Sequence, residues 1–164
     1  MNYFQIRDMD ISNGEGVGMA LFCSGCPLHC PNCFNQDLWD FNGGKPWTKE
    51  VETHFIELTN RIYIKRVSFL GGEPLADQNI ETIAHIISKI DKTKTIWVYT
   101  GYTWEELIAQ NKIKYLANVD ILVDGRYDDS KKDFHLKFKG SSNQRIIDVQ
   151  KSLADKEVVL RVNK

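Results

Sequence analysis

Residues 67 to 99 open with Val67-Ser68-Phe69-Leu70-Gly71-Gly72-Glu73-Pro74 and close with Thr95-Ile96-Trp97-Val98-Tyr99. Between these lie Ile80, Ile83, Ile87 and Ile90. The first four residues make an apolar run of strand length that ends in a glycine turn. The isoleucines fall at helical spacing, with Asn79 available as the cap, and Thr95–Tyr99 is again β-rich. Strand, helix and strand in this order predict a right-handed crossover around a parallel sheet. The same unit repeats outward on both sides. Upstream, Val17–Phe22 reads as a strand, and Thr48 caps a stripe of Val51, Phe55, Leu58 and Ile62. Downstream, Thr103-Trp104-Glu105-Glu106 has the spacing of a capping box, and Asp120–Val123 supplies a further strand. Past Asp124 the rhythm changes. Phe134–Phe138 and Val158–Val162 read as shorter strands, and the gap between Val123 and Phe134 is tight for a helical crossover.

The 164 residues suit one domain. They fall short of the ~250 that a closed eight-fold barrel takes. The expected architecture is therefore α/β: a partial, open TIM-like βα barrel of parallel strands, a single domain over residues 1–164. Basic and acidic side chains number 21 and 22, for a formal charge of −1. That balance gives no electrostatic reason to expect a nucleic acid or other polyanion. No apolar run approaches the ~20 residues of a membrane span. Met1–Asp10 includes Arg7, Asp8 and Asp10 and has no apolar signal-peptide core. The expectation is a cytoplasmic protein without membrane association.

Each expected parallel strand runs into an unusual loop, and in parallel sheets ligands bind beyond the carboxyl ends of the strands. Three of these loops are Gly71-Gly72-Glu73-Pro74, Thr100-Gly101-Tyr102 and Asp124-Gly125-Arg126. Ordinary turn chemistry accounts for their composition equally well. The loop after Val17–Phe22 is different. It holds all four cysteines, spaced Cys23-x2-Cys26-x3-Cys30-x2-Cys33. Thiols this close suit a soft cation that binds them as thiolates. Structural zinc commonly draws on two separated pairs of ligands, whereas iron–sulfur clusters use closely spaced cysteines. A zinc site and a redox or disulfide role stay open as alternatives. Cys23, at the strand end, is either a fourth ligand or a small buried hydrophobe.

With these residues in view, Cys26-x3-Cys30-x2-Cys33 resembles the cluster motif of the radical S-adenosylmethionine (SAM) enzymes, and Gly71-Gly72-Glu73-Pro74 resembles their second motif. The chain is most similar to the activating proteins of anaerobic (class III) ribonucleoside-triphosphate reductases. The resemblance runs through Asn13–Gly16, Gly25–Asn35, Trp39, Gly71–Pro74, Trp97–Tyr102, Leu122–Arg126 and Gly140–Arg145, which together span nearly the whole chain. It implies that Cys26, Cys30 and Cys33 bind a [4Fe–4S] cluster with one open iron, which SAM would chelate. Gly71, Gly72 and Glu73 would lie along the methionine part, the glycines allowing close approach and exposing N–H donors. Asn32, Cys33 and Phe34 would lie at the nucleoside, with Thr100 and Asp124 as polar contacts at neighbouring strand ends. Many radical SAM enzymes have an aromatic residue just before the third cysteine; here Asn32 stands there and Phe34 follows. The implied chemistry is reductive cleavage of SAM and hydrogen abstraction from a glycine of the large catalytic subunit of the reductase. It needs no general base.

The other highlighted residues are read plainly. His29 is a polar filler of the cysteine loop, and Trp97 and Trp104 are core and rim aromatics. Lys131, Lys132, Lys137 and Lys139 form a solvated face that could also meet an electron donor such as flavodoxin. Gly14, Gly16 and Gly18 lack a dinucleotide fingerprint and are expected to form a flexible loop that admits the partner's glycine segment. Two rival functions stand beside the leading one. One is an activase of another glycyl-radical enzyme, of the pyruvate formate-lyase type. The other is a four-cysteine electron carrier or zinc-binding module, which would need Cys23 and tolerate change at Gly71–Glu73.

Overall fold

The computed structural model describes residues 1–161. Its strands are β1 (Asn2–Asp10), β2 (Gly18–Cys23), β3 (Lys45–Pro46), β4 (Arg66–Gly71), β5 (Thr95–Tyr99), β6 (Ile121–Asp124) and β7 (Arg145–Asp148). They form one sheet in the order β3-β1-β2-β4-β5-β6-β7. The centre, β2-β4-β5-β6, is parallel, with Gly18 opposite Arg66, Arg66 opposite Thr95 and Trp97 opposite Ile121. These are the strands the apolar runs predict, to within a residue at each end. The edges are antiparallel: β1 and β3 on one side, β7 on the other. The parallel expectation thus holds for the middle of a mixed α/β sheet and not for its borders.

Three crossovers advance in one direction across the sheet, so their helices share one face. These are α1 (Lys49–Thr59), α2 (Ile80–Lys89) and α3 (Trp104–Ala109). Met19, Leu21, Val67, Phe69, Ile96, Val98 and Leu122 point into that layer and meet Phe55, Ile83, Ile86 and Leu107. Alternation sends Arg66, Ser68, Leu70, Trp97, Tyr99, Ile121 and Val123 to the opposite face. Loops cover it. Because both faces of β2 and β4 are buried, their sequences are dominated by apolar residues, with Arg66 and Ser68 the polar exceptions in β4. The last helix, α4 (Val149–Asp155), follows β7 directly. Among the described residues no helix is long and apolar enough to cross a membrane.

Thr48 and Thr103 cap as expected, accepting from the N–H groups of Val51 and Glu106 at 3.2 and 3.1 Å. Four other readings are corrected. The first helix ends at Thr59, which leaves Ile62 outside it and 86% exposed. Glu52 is buried on that helix instead, held by Trp47 Nε1 and Lys89 Nζ, each at 3.1 Å. Asn79 makes no capping bond. Phe134–Phe138 is not a strand: Asp133 turns the chain by accepting the N–H of His135, Phe138 has φ +63°, and Phe134 faces solvent. Val158–Val162 contributes only an isolated bridge from Leu160 to Ile147, and Val162 lies outside the described residues.

The glycine loop before β2 is tied down rather than loose. Arg66, wholly buried, donates to the carbonyls of Asp10, Glu15 and Gly16, to the Asp10 carboxylate and to Ser68 Oγ. Gly14 and Gly18 lie so close to its side chain that a Cβ at either would collide with it. Those glycines let the loop close over the arginine.

Candidate functional site

The cysteine loop leaves β2 under close constraint. Gly25 has φ +96°, and a side chain there would strike the Phe41 ring. Its N–H donates to Leu38 O at 2.8 Å, and that of Cys26 to Trp39 O at 3.1 Å. His29, at φ +48°, stacks on Trp39 with ring centroids 4.3 Å apart, which accounts for it as packing. Cys26, Cys30 and Cys33 then line a cavity of about 390 Å³. Its walls come from the loops that follow β4, β5 and β6, so the converging loops of the sequence do meet. Cys23 does not line it. That thiol is fully buried where β2 pairs with Gly71, and burial pushes it far above its ordinary pKa.

Burial also pushes the Cys26 and Cys30 thiols up, against backbone N–H groups of Leu28 and His29 at the first and of Tyr127 at the second. The Asn35 N–H lies 3.4 Å from the Cys33 sulfur. At Cys26 and Cys30 those donors favour the thiolate, the form in which cysteine binds metal. Two further wall residues, Trp39 and Tyr99, have buried polar atoms without a partner among the described residues. Buried polar groups are ordinarily satisfied, so a cavity bounded by such residues fits a site completed by a bound group. Among the described residues no three His, Cys, Asp or Glu side chains converge as a single ion requires. The thiols face one cavity from separate positions. Soft donors so arranged fit an iron–sulfur cluster, whose thiolates attach to different irons.

Gly71, Gly72 and Glu73 line the same cavity, but their close approach is to the cysteine loop. A Cβ on Gly71 would lie 2.8 Å from the backbone of Cys23, and one on Gly72 would collide with the Gly25 carbonyl. The N–H groups of Gly72 and Glu73 donate to Cys23 O and Gly25 O at 2.9 and 2.7 Å. These donors, expected to be exposed, are engaged. The Glu73 carboxylate is buried and accepts from Leu75 N–H, Thr100 Oγ1 and Gly101 N–H at 2.9, 2.7 and 2.7 Å. Thr100 also lines the cavity, with its hydroxyl proton given to Glu73.

The remaining candidates divide. Phe34 lines the cavity, 66% exposed, its ring 4.9 Å from that of Tyr127. Asn32 is left-handed and turns to Asp129 at 3.2 Å, away from the lining. Asp124 is not in the lining either. Its carboxylate accepts from Trp104 N–H at 2.8 Å and from Arg145 at 2.6 and 3.0 Å, which anchors the start of α3. Gln144 ties the following loop to the end of β6 by donating to Gly125 O and accepting from Gly140 N–H. The Gly140–Arg145 stretch is thus a brace around the cavity. Lys131 and Lys132 sit near Asp128 and Asp129 of their own loop.

Burial holds the Glu73 carboxyl above the ordinary carboxylate range, opposed by its three donors and the charge of Lys112. A raised carboxyl keeps a proton in the folded chain that the unfolded chain releases. Its contribution to stability is present below the ordinary value of 4.5 and is lost as pH climbs through the raised one. Glu73→Gln cannot titrate. Thermal melts of the two apo-proteins from about pH 4.5 to neutral are expected to show wild type losing ground to the variant as pH rises. A flat difference would place the Glu73 pKa at its unfolded value.

Comparison with known proteins places the sequence as a whole. The chain belongs to a class of iron–sulfur proteins: the family described as "4Fe-4S single cluster domain" matches residues 12–147. The chain is 43% identical over 150 residues to the anaerobic ribonucleoside-triphosphate reductase-activating protein of Escherichia coli K12, covering 88% of this chain and 96% of that one. It is 36% identical over 152 residues to the protein of that name from Pasteurella multocida, with 89% and 96% covered. The enterobacteria phage T4 protein of that name is 33% identical over 149 residues, with 89% and 93% covered. The chain belongs to the family of anaerobic ribonucleoside-triphosphate reductase-activating proteins.

Proposed function

We propose that this chain, acting as one domain over residues 1–164, is a radical SAM activase that installs a glycyl radical on the large catalytic subunit of anaerobic ribonucleoside-triphosphate reductase. The observation that carries this reading is the separation of the thiols: Cys26, Cys30 and Cys33 line one cavity and Cys23 is sealed from it. A [4Fe–4S] cluster held by these three cysteines would supply the electron for reductive cleavage of SAM, and so for hydrogen abstraction from a glycine Cα of the partner.

The chain's own residues do the rest. Cys26, Cys30 and Cys33 would hold the cluster, and with only three protein ligands it would have a place for SAM. The Gly71–Glu73 and Thr100–Gly101 loops, braced by the Glu73 carboxylate, form the wall along the methionine. Phe34 and Tyr127 offer aromatic surface to the nucleoside. Apolar lining from Leu70, Val123 and Phe138 excludes water from the reacting carbon. The four parallel strands serve as the arc of a partial βα barrel, whose open side admits the partner's glycine segment. A donor such as flavodoxin supplies the electron.

The test is anaerobic reconstitution with iron and sulfide, followed by SAM and dithionite and an assay for 5′-deoxyadenosine. Product formation is expected; an intact cluster without product overturns the reading. Adding the reductase, or in parallel a pyruvate formate-lyase type enzyme, and recording EPR then identifies the partner by which protein acquires an organic radical.

A further inference from the structure

The ladder between β2 and β4 ends at Cys23 and Gly71, yet the loops beyond it remain joined. Besides the two backbone bonds from Gly72 and Glu73, a side chain bridges them. Asn79, 1% exposed, donates through Nδ2 to Ser24 O and to Glu73 O, both at 3.0 Å. Its Nδ2 also lies 3.9 Å from the Cys23 sulfur.

The position makes this bridge informative. Asn79 stands at the N-cap of α2, where its oxygen would ordinarily accept a helix N–H, and it makes no such bond. A cap alone would be served as well by serine or aspartate. Bridging two carbonyls from one short side chain needs two N–H groups on one atom. Serine has one donor and aspartate has none. The residue at position 79 is therefore fitted to the two loops rather than to the helix it begins.

We propose that Asn79 is a positioning residue that fixes the start of the cysteine loop against the Gly71–Pro74 loop, so that the thiols and the opposite wall of the cavity share one frame. This rests on the reading that Cys26, Cys30 and Cys33 hold the cluster. Loss of the bridge lets the loops separate beyond the end of the ladder. Cluster retention then suffers while the fold, built on the helix-covered face, persists.

Asn79→Ser and Asn79→Ala both remove the two-donor bridge without burying a charge, so either serves if the other fails to fold. Wild type and variants are reconstituted anaerobically, and three quantities are followed: apo-protein Tm, the rate of iron loss to EDTA, and the EPR spectrum of the dithionite-reduced cluster. The variants are expected to melt several degrees below wild type, because two buried carbonyls lose a donor, and still to unfold in one cooperative step. They should lose iron roughly ten-fold faster, the usual scale for outer-shell changes at metal sites, with an altered EPR line shape. Equal loss rates and superimposable spectra overturn the proposal. A wild-type protein that takes up no cluster overturns the ligand reading beneath it, an outcome told apart because the variants are then not needed to see it.

Discussion

Alanine at Cys26, Cys30 or Cys33 is expected to reduce reconstituted iron and 5′-deoxyadenosine formation to the level of a protein-free control, while Cys23→Ala keeps both. The asymmetry follows from where the four thiols lie. Three share a cavity and have backbone donors at their sulfurs. Ionising Cys26 or Cys30 means overcoming a desolvation penalty that bound iron more than offsets. Cys23 would pay that penalty fully buried, with Glu73 raising its pKa further, and its sulfur does not face the cavity. Its removal trims a small buried side chain and is expected to cost about 1 kcal/mol of stability. Iron analysis and SAM cleavage on the four single variants give the answer directly. A Cys23→Ala protein that loses its cluster as completely as Cys30→Ala would establish a four-cysteine site. No iron would then be free for SAM, and the electron-carrier reading would take over.

The parallel centre was legible because strands buried on both faces are almost wholly apolar, as in Met19-Ala20-Leu21-Phe22 and Val67-Ser68-Phe69-Leu70, where Ser68 is the one polar residue. The antiparallel borders were not. Asn2–Asp10 alternates weakly and mixes Gln5, Arg7 and Asp8 into an edge strand that has β3 beside it only at Asn2 and Tyr3. Arg145–Asp148 is four residues long and takes its place by returning antiparallel along β6. The apolar character of Leu136 and Phe138 belongs to the cavity wall, which is why it imitated a strand. Within the site, residue type marked the cysteines and the Gly71–Glu73 loop, since few roles call for thiols or paired glycines at a strand end. What those glycines touch was a matter of tertiary contact. Asn79 reaches Ser24 across 55 positions of sequence, and no local pattern encodes that bond. Asp124 looked like a ligand contact because it ends a strand, yet Arg145, distant in sequence and near in space, takes its carboxylate inward.

Asp10→Ala is expected to be the most damaging change outside the core, lowering stability by about 3–5 kcal/mol. A domain of this kind has only about 5–15 kcal/mol in total. Arg66 and Asp10 meet at 2.9 Å with their side chains 1% and 0% exposed. An ion pair so placed need not raise stability relative to an apolar pair, but removing one partner strands the other charge. Here the stranded guanidinium would keep the carbonyls of residues 10, 15 and 16 and the Ser68 hydroxyl, none of which neutralises it. Arg66→Met in the Asp10→Ala background removes the stranded charge with comparable bulk. The double variant is therefore expected to be more stable than Asp10→Ala alone. Urea unfolding of the apo-proteins measures all three, and the recovery separates charge burial from lost packing. The consequence reaches the cavity, because Asp10 also holds Asn13 through its N–H and Nδ2, and Ser12 and Asn13 line the wall. If Asp10→Ala cost less than about 1 kcal/mol, water would have to reach Arg66. The loop would then open as readily as its three glycines first suggested.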